Sequence, residues 1–370
     1  MIWNVSEVTT STSRKTLEYL DQISESYSRV YALDRLCHLA AKWRPNVFEC
    51  MNAEHGMVYL APSARALALN SYSSRKKGSV LVLCGQHSRE LVSSEVCAQL
   101  ITDLVANGGD TEVLWWIVPV VNRWGRAKIM NSIASGSSEY ECLRTNVQHI
   151  DLNRNFASPY CAAWQVHASM KSIGHEEYAG RQPYSAKETL DTLSILHFSN
   201  PDMLINVHSG APEWILLPYD SKDAVYYLHG KMLPSTYDKM VEHVRFVQSV
   251  SLCQNCTVGR ASVLLYDSVG TLADYYMNMQ DIIEHKDPDG RCQYPKNYPI
   301  RESTDNEERI AYTLEVYNND SQSCIDELNQ GRCLCYFNPI DKKNLKDTTT
   351  HWSLVVQSLA KSLSITFVGK

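Results

Sequence analysis

The chain contains a single His-x-x-Glu pair, in which His87 and Glu90 flank Ser88 and Arg89. The pair follows the apolar run Val80–Cys84, so it lies where a buried strand gives way to a polar turn. In open α/β sheets, ligand crevices form at the carboxyl ends of the strands. An imidazole and a carboxylate on one turn can bind a metal ion from one side, so both side chains are predicted metal ligands.

A third ligand is predicted at His208, which ends the apolar run Met203–Val207 and precedes Ser209. A strand-end histidine taken alone is more often a hydrated surface residue. Catalytic zinc, however, takes three protein ligands and leaves one position for water, and two histidines with one glutamate make up such a set. We therefore expect one Zn²⁺ per chain, which would lower the pKa of its bound water to about 7.

Glu315 is a carboxylate within the apolar run Ala311–Tyr317. Strand alternation places it on the same face as Thr313 and opposite Tyr312 and Leu314. An exposed edge strand would give the same pattern. Otherwise the carboxylate must be paired, hydrated in a cleft or shifted in pKa, and each of these suits a general base beside a metal-bound water.

The polar stretch Cys142–Phe156 carries Arg144, Asn153 and Arg154. Its composition alone would favour a hydrated loop with local Asx turns. The planar fork of arginine also matches a carboxylate, and a neighbouring asparagine adds a donor. Asn153 and Arg154 are therefore predicted to bind a substrate carboxylate, and Arg144 to face an oxyanion.

These residues need a scaffold, and the composition favours a globular one, with 44% hydrophobic and 21% charged residues among 370. No Pro/Gly/Ser-rich linker divides the chain. Two domains are equally compatible with this length, and we favour one. The expected division is an N-terminal extension over residues 1–15 and a single domain over residues 16–370, including a C-terminal helix. Strand-length apolar runs alternate with helix-length segments, which predicts an α/β/α sandwich with a mixed, largely parallel twisted sheet.

The predicted elements follow from apolar spacing. A first amphipathic helix is expected over Thr16–Arg44. The predicted strands are Val58–Leu60, Val80–Cys84, Val113–Val121, Met203–Val207, Trp214–Leu217, Ala261–Tyr266 and Ala311–Tyr317. The later predicted helices are Leu91–Val105, Ser185–Ser199 with a capping box of Ser185 and Glu188, Tyr237–Leu252, Gly270–Met279 and Trp352–Leu363.

Charge and hydropathy restrict the partners. The net charge of −6, without a long basic run, disfavours nucleic acid. No apolar stretch is long enough to span a membrane, and the opening residues lack the apolar core of a signal peptide.

Twelve cysteines are many for a cytoplasmic enzyme. Those in the loop-like sequences CQNC and RCLC could form disulfides, whereas Cys84 and Cys97 are expected to be small buried apolar residues. A zinc ribbon at CQNC is disfavoured because no second CxxC follows at the required spacing. Together with three Asn-x-Ser/Thr sequons, the cysteines favour a secreted, secretory-pathway or vacuolar protein over the cytoplasmic alternative.

Several motifs together resemble the zinc carboxypeptidases of the carboxypeptidase A type, the funnelin family. The similarity extends from about Thr16 to about Pro339. The C-terminal CxCYFNPID is closer to a plant- and protist-like branch, and the short Arg144–Asn153 interval resembles the regulatory branch. In chain order the motifs are His87-Ser88-Arg89-Glu90, Asp151-Leu152-Asn153-Arg154-Asn155-Phe156, His208-Ser209, Tyr266 eight residues before Asp274, and Tyr312-Thr313-Leu314-Glu315.

The resemblance implies hydrolysis of the C-terminal peptide bond of peptides and proteins. It assigns zinc to His87, Glu90 and His208. Glu315 would be the base that activates water, and Arg144 would polarise the scissile carbonyl. The terminal carboxylate would be held by Asn153, Arg154 and Tyr266, and Arg89 would serve a subsite farther along the peptide.

Side-chain preference depends on two positions. Asp220 lies near the position where the regulatory branch has an acid that meets Lys or Arg, so basic C-terminal residues are expected. Leu272 and Ala273 would give a neutral pocket and favour apolar or aromatic ends. A zinc deacylase of small N-acyl amino acids and a zinc-free peptide-binding pseudoenzyme are the remaining alternatives.

Overall fold

The computed structural model describes residues 48–50, 67–69, 78–106, 113–158, 161–218, 234–279 and 309–364. The strands in this part of the chain are β1 (Phe48–Cys50), β2 (Leu67–Leu69), β3 (Gly78–Cys84), β4 (Val113–Val118), β5 (Met203–His208), β6 (Trp214–Leu217), β7 (Thr257–Arg260) and β8 (Ile310–Glu315). They form one mixed sheet in the order β1-β2-β4-β3-β5-β8-β6-β7. The pairs β3–β4, β3–β5, β5–β8 and β6–β7 are parallel, whereas β1–β2, β2–β4 and β6–β8 are antiparallel.

The helices in the described residues lie between the strands along the chain, except for the last three, which follow β8. They are α1 (Leu91–Ala106), α2 (Arg123–Ala134), α3 (Cys161–Met170), α4 (Lys187–Ser199), α5 (Pro234–Ser249), α6 (Ala261–Leu264), α7 (Leu272–Met277), α8 (Gln322–Asn329), α9 (Leu334–Phe337) and α10 (Lys342–Ser362), with a 3₁₀ turn at Leu152–Arg154. No helix in the described part of the chain is long and apolar enough to cross a membrane.

Alternating side chains of β3 enter two hydrophobic cores, one on each face of the sheet. Val80 and Val82 belong to the core that contains apolar residues of α1, α5 and α10. Leu81 and Leu83 belong to the opposite core, with residues of α4 and α7. Because both faces are covered, the strand is apolar nearly throughout. The predicted α/β/α sandwich and mixed, largely parallel sheet are confirmed.

Two local predictions are wrong. Ala261–Tyr266 is not a strand, because β7 ends at Arg260 and the short helix α6 follows; an apolar run of this length fits either element. The capping box does not form, because Ala186 is the N-cap of α4 and has no side-chain cap bond. Ser185 instead accepts a hydrogen bond from Asn155, and Glu188 accepts one from Asn146.

Other predictions differ in extent or cannot be compared. The strand predicted at Val113–Val121 ends at Val118, and the C-terminal helix begins at Lys342, ten residues before its predicted start. The extension over residues 1–15, the helix over Thr16–Arg44 and the strand Val58–Leu60 lie outside the described residues.

Four disulfides link described cysteines: Cys84–Cys97, Cys142–Cys333, Cys253–Cys256 and Cys324–Cys335. The prediction that Cys84 and Cys97 are unbridged is wrong. Both are fully buried, as expected, but α1 packs over the end of β3 and brings their Cα atoms within 6.3 Å. The cysteines of CQNC bond to each other.

Candidate active site

The three predicted metal ligands lie at the carboxyl ends of two adjacent parallel strands. His87 and Glu90 occupy the turn between β3 and α1, and His208 is the last residue of β5. The turn begins at Gly85, which has a φ of +65° and sits against the Ser94 hydroxyl. A side chain there would collide with Ser94, so the sharp exit from the strand requires glycine.

The ligand atoms converge on one point. His87 Nδ1 lies 2.7 Å from one oxygen of Glu90, His208 Nδ1 lies 3.0 Å from the other, and the two Nδ1 atoms are 3.1 Å apart. In a tetrahedral site with zinc bonds of about 2.0–2.1 Å, neighbouring ligand atoms lie about 3.3 Å apart. Burial lowers the pKa of His208 although Glu90 opposes this, which favours the neutral ring that binds metal. The residues therefore fit one zinc ion.

Asp151 supports this cluster from behind. Its carboxylate is fully buried and lies 3.0 Å from His87 Nε2, the ring nitrogen that faces away from the ligand cluster. It also accepts hydrogen bonds from Arg144 Nε at 2.8 Å and from the Asn153 amide at 2.8 Å. Although burial opposes ionisation, Arg144 and His87 lower the pKa of Asp151 well below its usual value. One carboxylate thus orients both a metal ligand and an arginine.

Glu315 is the last residue of β8 and pairs with His208 in the parallel register of β5 and β8. The strand ends at this residue, so the carboxylate is at a strand end and not within the strand as the sequence suggested. Burial raises the pKa of Glu315 well above its usual value, and the charge of Glu90 raises it further, while Arg144 opposes the shift. A buried carboxyl that holds a proton readily suits general acid–base chemistry.

Arg144 extends from the loop before the 3₁₀ turn into the cleft. Asp151 fixes its Nε, and its Nη1 lies 3.6 Å from a Glu90 oxygen. The guanidinium is therefore buried beside the metal ligands, where it could stabilise negative charge that develops on a bound carbonyl oxygen.

Arg154 ends the 3₁₀ turn, and its guanidinium is buried. Nη1 donates to the Asn153 carbonyl at 2.8 Å, and Nη2 donates to the Tyr266 hydroxyl at 3.0 Å and to Glu177 at 3.0 Å. The Asn153 side-chain oxygen accepts from the Leu272 amide, which ties the turn to the start of α7. Asn153, Arg154 and Tyr266 are thus brought together as predicted.

Arg89 lies at another part of the cleft. Its guanidinium donates to Glu176 at 2.7 Å and lies 4.3 Å from the ring centre of Phe337. The C-terminal segment thus forms one wall of the cleft. The Cys142–Cys333 disulfide ties this wall to the loop that carries Arg144.

One cleft of about 260 Å³ contains nine of the ten predicted site residues: His87, Arg89, Glu90, Arg144, Asn153, Arg154, His208, Tyr266 and Glu315. The tenth, Asp220, lies outside the described residues. The prediction that Leu272 and Ala273 line the pocket is wrong, because neither residue lines this cleft. They are buried in the core beneath it, and Thr271 is the residue of that segment that lines the cleft.

Sequence reasoning did not assign roles to Asp151, Glu176 and Glu177. Each is an acid that pairs with an arginine of the cleft. The available signal was that Arg89, Arg144 and Arg154 were all predicted to lie in one site, where several cations need acidic partners.

The sequence profile described as zinc carboxypeptidase matches residues 53–307. Human carboxypeptidase O is 22% identical over 239 residues, which cover 60% of this chain and 59% of that protein. Human carboxypeptidase B2 is 26% identical over 231 residues, which cover 58% of this chain and 51% of that protein. The matched region therefore spans between half and two thirds of these relatives.

Solved structures share the fold. Bovine thrombin-activatable fibrinolysis inhibitor, in complex with tick carboxypeptidase inhibitor, superposes with a TM-score of 0.62 at 18% identity and covers 90% of this chain and 96% of that chain. Carboxypeptidase A from Helicoverpa armigera gives a TM-score of 0.60 at 19% identity, covering 90% and 72% of the two chains. The profile match covers more than half of the sequence. The chain therefore belongs to the zinc carboxypeptidase family, and its metal cofactor is zinc.

Proposed function

We propose that this protein is a metallocarboxypeptidase that removes the last residue from peptides and proteins, with one zinc held by His87, Glu90 and His208. The proposal is supported mainly by one observation. The same cleft contains the metal ligands, the carboxyl of Glu315 and a buried arginine, Arg154, that can bind a terminal carboxylate.

The mechanism assigns one task to each group. Bound zinc supplies Lewis acidity, which polarises a carbonyl and lowers the pKa of water. Glu315 removes a proton from the attacking water and delivers it to the departing amine. Arg144, fixed by Asp151, stabilises the negative charge that develops on the carbonyl oxygen. Arg154 holds the terminal carboxylate, with Asn153 and Tyr266, so attack is restricted to the last peptide bond.

For the side chain of the departing residue we propose Lys or Arg, because an acid at Asp220 would attract an opposite charge. A second candidate, release of apolar or aromatic residues, is favoured by uncharged residues that line the cleft. They include Leu216, Ala261, Leu265 and Thr271.

The test is a peptide library varied only at the last residue, with each member made as free acid and as amide, and mass detection of the products. We expect the free acids to lose one residue and the amides to be cleaved little, because an amidated terminus lacks the negative charge that Arg154 would bind. Equal cleavage of amides, or cleavage within the chain, would refute the exopeptidase proposal. Hydrolysis of N-acyl amino acids without peptide cleavage would favour the deacylase.

The same library decides the side-chain preference. If Asp220 lines the pocket, Asp220→Ala should lower the ratio of Lys/Arg release to Phe release by at least about tenfold. A wild-type preference for Phe or Leu, or an unchanged ratio of Lys/Arg release to Phe release in the variant, would favour the release of apolar or aromatic residues instead.

We also propose a secreted, secretory-pathway or vacuolar location. The four disulfides among the described residues support it, because such bonds persist in oxidising compartments. Alkylation of free thiols in freshly lysed cells tests this. Quantitative labelling of these eight cysteines without reductant would contradict it.

A further inference from the structure

Arg154 already has a carboxylate partner within the protein. Glu177 accepts a hydrogen bond from Arg154 Nη2 at 3.0 Å, and its side chain is only 17% exposed. Although burial opposes ionisation, Arg154 and Lys171 lower the pKa of Glu177. The site for the substrate carboxylate therefore contains a resident carboxylate that is charged at neutral pH.

The donor inventory of Arg154 shows why this contact matters. A guanidinium has one N–H on Nε and two on each terminal nitrogen. A carboxylate can bind a guanidinium through both oxygens in two ways, to Nε and Nη2 or to Nη1 and Nη2. Both arrangements use a hydrogen of Nη2. That nitrogen already donates to Glu177 and to Tyr266, while the buried Nε has no partner among the described residues. A substrate carboxylate can bind in bidentate fashion only if one of these two acceptors moves.

Lys171 makes Glu177 the acceptor that can move at low cost. Its Nζ lies 3.3 Å from the second carboxylate oxygen of Glu177, and the lysine side chain is 28% exposed. Glu177 can thus release Arg154 and remain paired with a hydrated cation. Tyr266 is 49% exposed, but it contacts Arg154 through its ring as well as its hydroxyl, with the guanidinium carbon 5.6 Å from the ring centre.

We propose that Glu177 is a specificity-determining residue that competes with the substrate's terminal carboxylate for Arg154, and that Lys171 holds Glu177 when it is displaced. This inference rests on the proposed function, because it takes Arg154 as the carboxylate site. Its consequence is that binding of a terminal carboxylate, in substrate and product alike, is weakened by the displacement.

The experiment measures binding by calorimetry on the zinc-loaded protein. The probes are 3-phenylpropanoate and 6-aminohexanoate, each compared with its amide, so both candidate side-chain classes are sampled without a cleavable bond. Glu177→Gln should strengthen carboxylate binding about threefold to tenfold and leave amide binding unchanged. Lys171→Gln should weaken carboxylate binding, and the double variant should behave like Glu177→Gln.

Glu176→Gln is the matched control, because it removes the same charge one residue away, from a glutamate that pairs with Arg89 instead. Its effect on carboxylate binding should be clearly smaller. Weaker or unchanged carboxylate binding in Glu177→Gln would overturn the proposal, and so would an equal gain in Glu176→Gln. Absence of carboxylate binding in every variant would also refute it. Peptide hydrolysis is measured separately, so its failure with this binding pattern intact would refute only the proposed function.

Discussion

Asp151→Asn should weaken zinc binding although the residue is not a predicted ligand. The carboxylate is fully buried and lies 3.0 Å from His87 Nε2, so it fixes the ring that presents Nδ1 to the metal. Mutation of such outer partners typically costs 10–100-fold in metal affinity. That range corresponds to about 1.4–2.7 kcal/mol.

The same substitution affects Arg144, which donates its Nε–H to Asp151 at 2.8 Å. Removing one partner of a buried ion pair typically costs about 3–5 kcal/mol, because the remaining charge stays buried. Asparagine keeps the shape and one acceptor, so we expect the lower part of this range for Asp151→Asn. Asp151→Ala, which also leaves a cavity, should reach the upper part.

The assay is competition for zinc with a chelator of known affinity, together with chemical unfolding of the metal-free protein. Asp341→Ala is the control. This aspartate caps the start of α10 through the Asn344 amide, and its loss should cost about 1 kcal/mol of stability without changing zinc affinity. A zinc affinity of Asp151→Asn within about twofold of wild type would refute the assigned role.

Other perturbations act on separate parts of the molecule. Glu315→Gln should retain zinc and lower turnover by at least about 10²-fold; near wild-type turnover would remove Glu315 from the mechanism. His208→Ala should abolish stoichiometric zinc, measured by elemental analysis, and full occupancy would contradict the ligand set. Replacing Cys142 and Cys333 together by serine should lower the unfolding free energy by about 5 kcal/mol, the loop-closure value for a cross-link between residues 191 positions apart; an unchanged denaturation midpoint would contradict this. Gly85→Ala should destabilise the protein by about 1–3 kcal/mol through strain at positive φ, and equal stability would contradict the strained turn.

The convergence of the three proposed metal ligands could be predicted because each breaks a local pattern. His87 and Glu90 follow an apolar strand and His208 ends one, where a polar side chain has no packing reason to be, and Glu315 stood out as a carboxylate in an apolar run. The parallel register then brings these strand ends to one edge of the sheet. A polar side chain at the end of an apolar strand can therefore indicate a site whose residues are far apart in the sequence.

The supporting residues gave no such signal. Asp151 lies in a polar loop 64 positions from His87, and nothing in the loop's composition distinguishes an orienting acid from a hydrated one. The Cys84–Cys97 disulfide was missed for a related reason, since two buried cysteines look alike whether or not α1 packs their sulfurs together. The position of α6 was ambiguous because the six-residue run Ala261–Tyr266 is too short to show a clear helix or strand period.

The charges of the cleft explain why these missed acids are necessary. Three arginines converge there, and each has its own carboxylate: Arg89 with Glu176, Arg144 with Asp151, and Arg154 with Glu177. Without these partners, three buried or half-buried cations beside a divalent metal would repel one another and the metal.

The Arg144–Asp151 and Arg154–Glu177 pairs differ in a way that matches the proposed roles. Asp151 is fully buried and holds Arg144 in one position, as a group that stabilises a transition state requires. Glu177 is partly exposed and also pairs with Lys171, so a substrate carboxylate can replace it as the partner of Arg154.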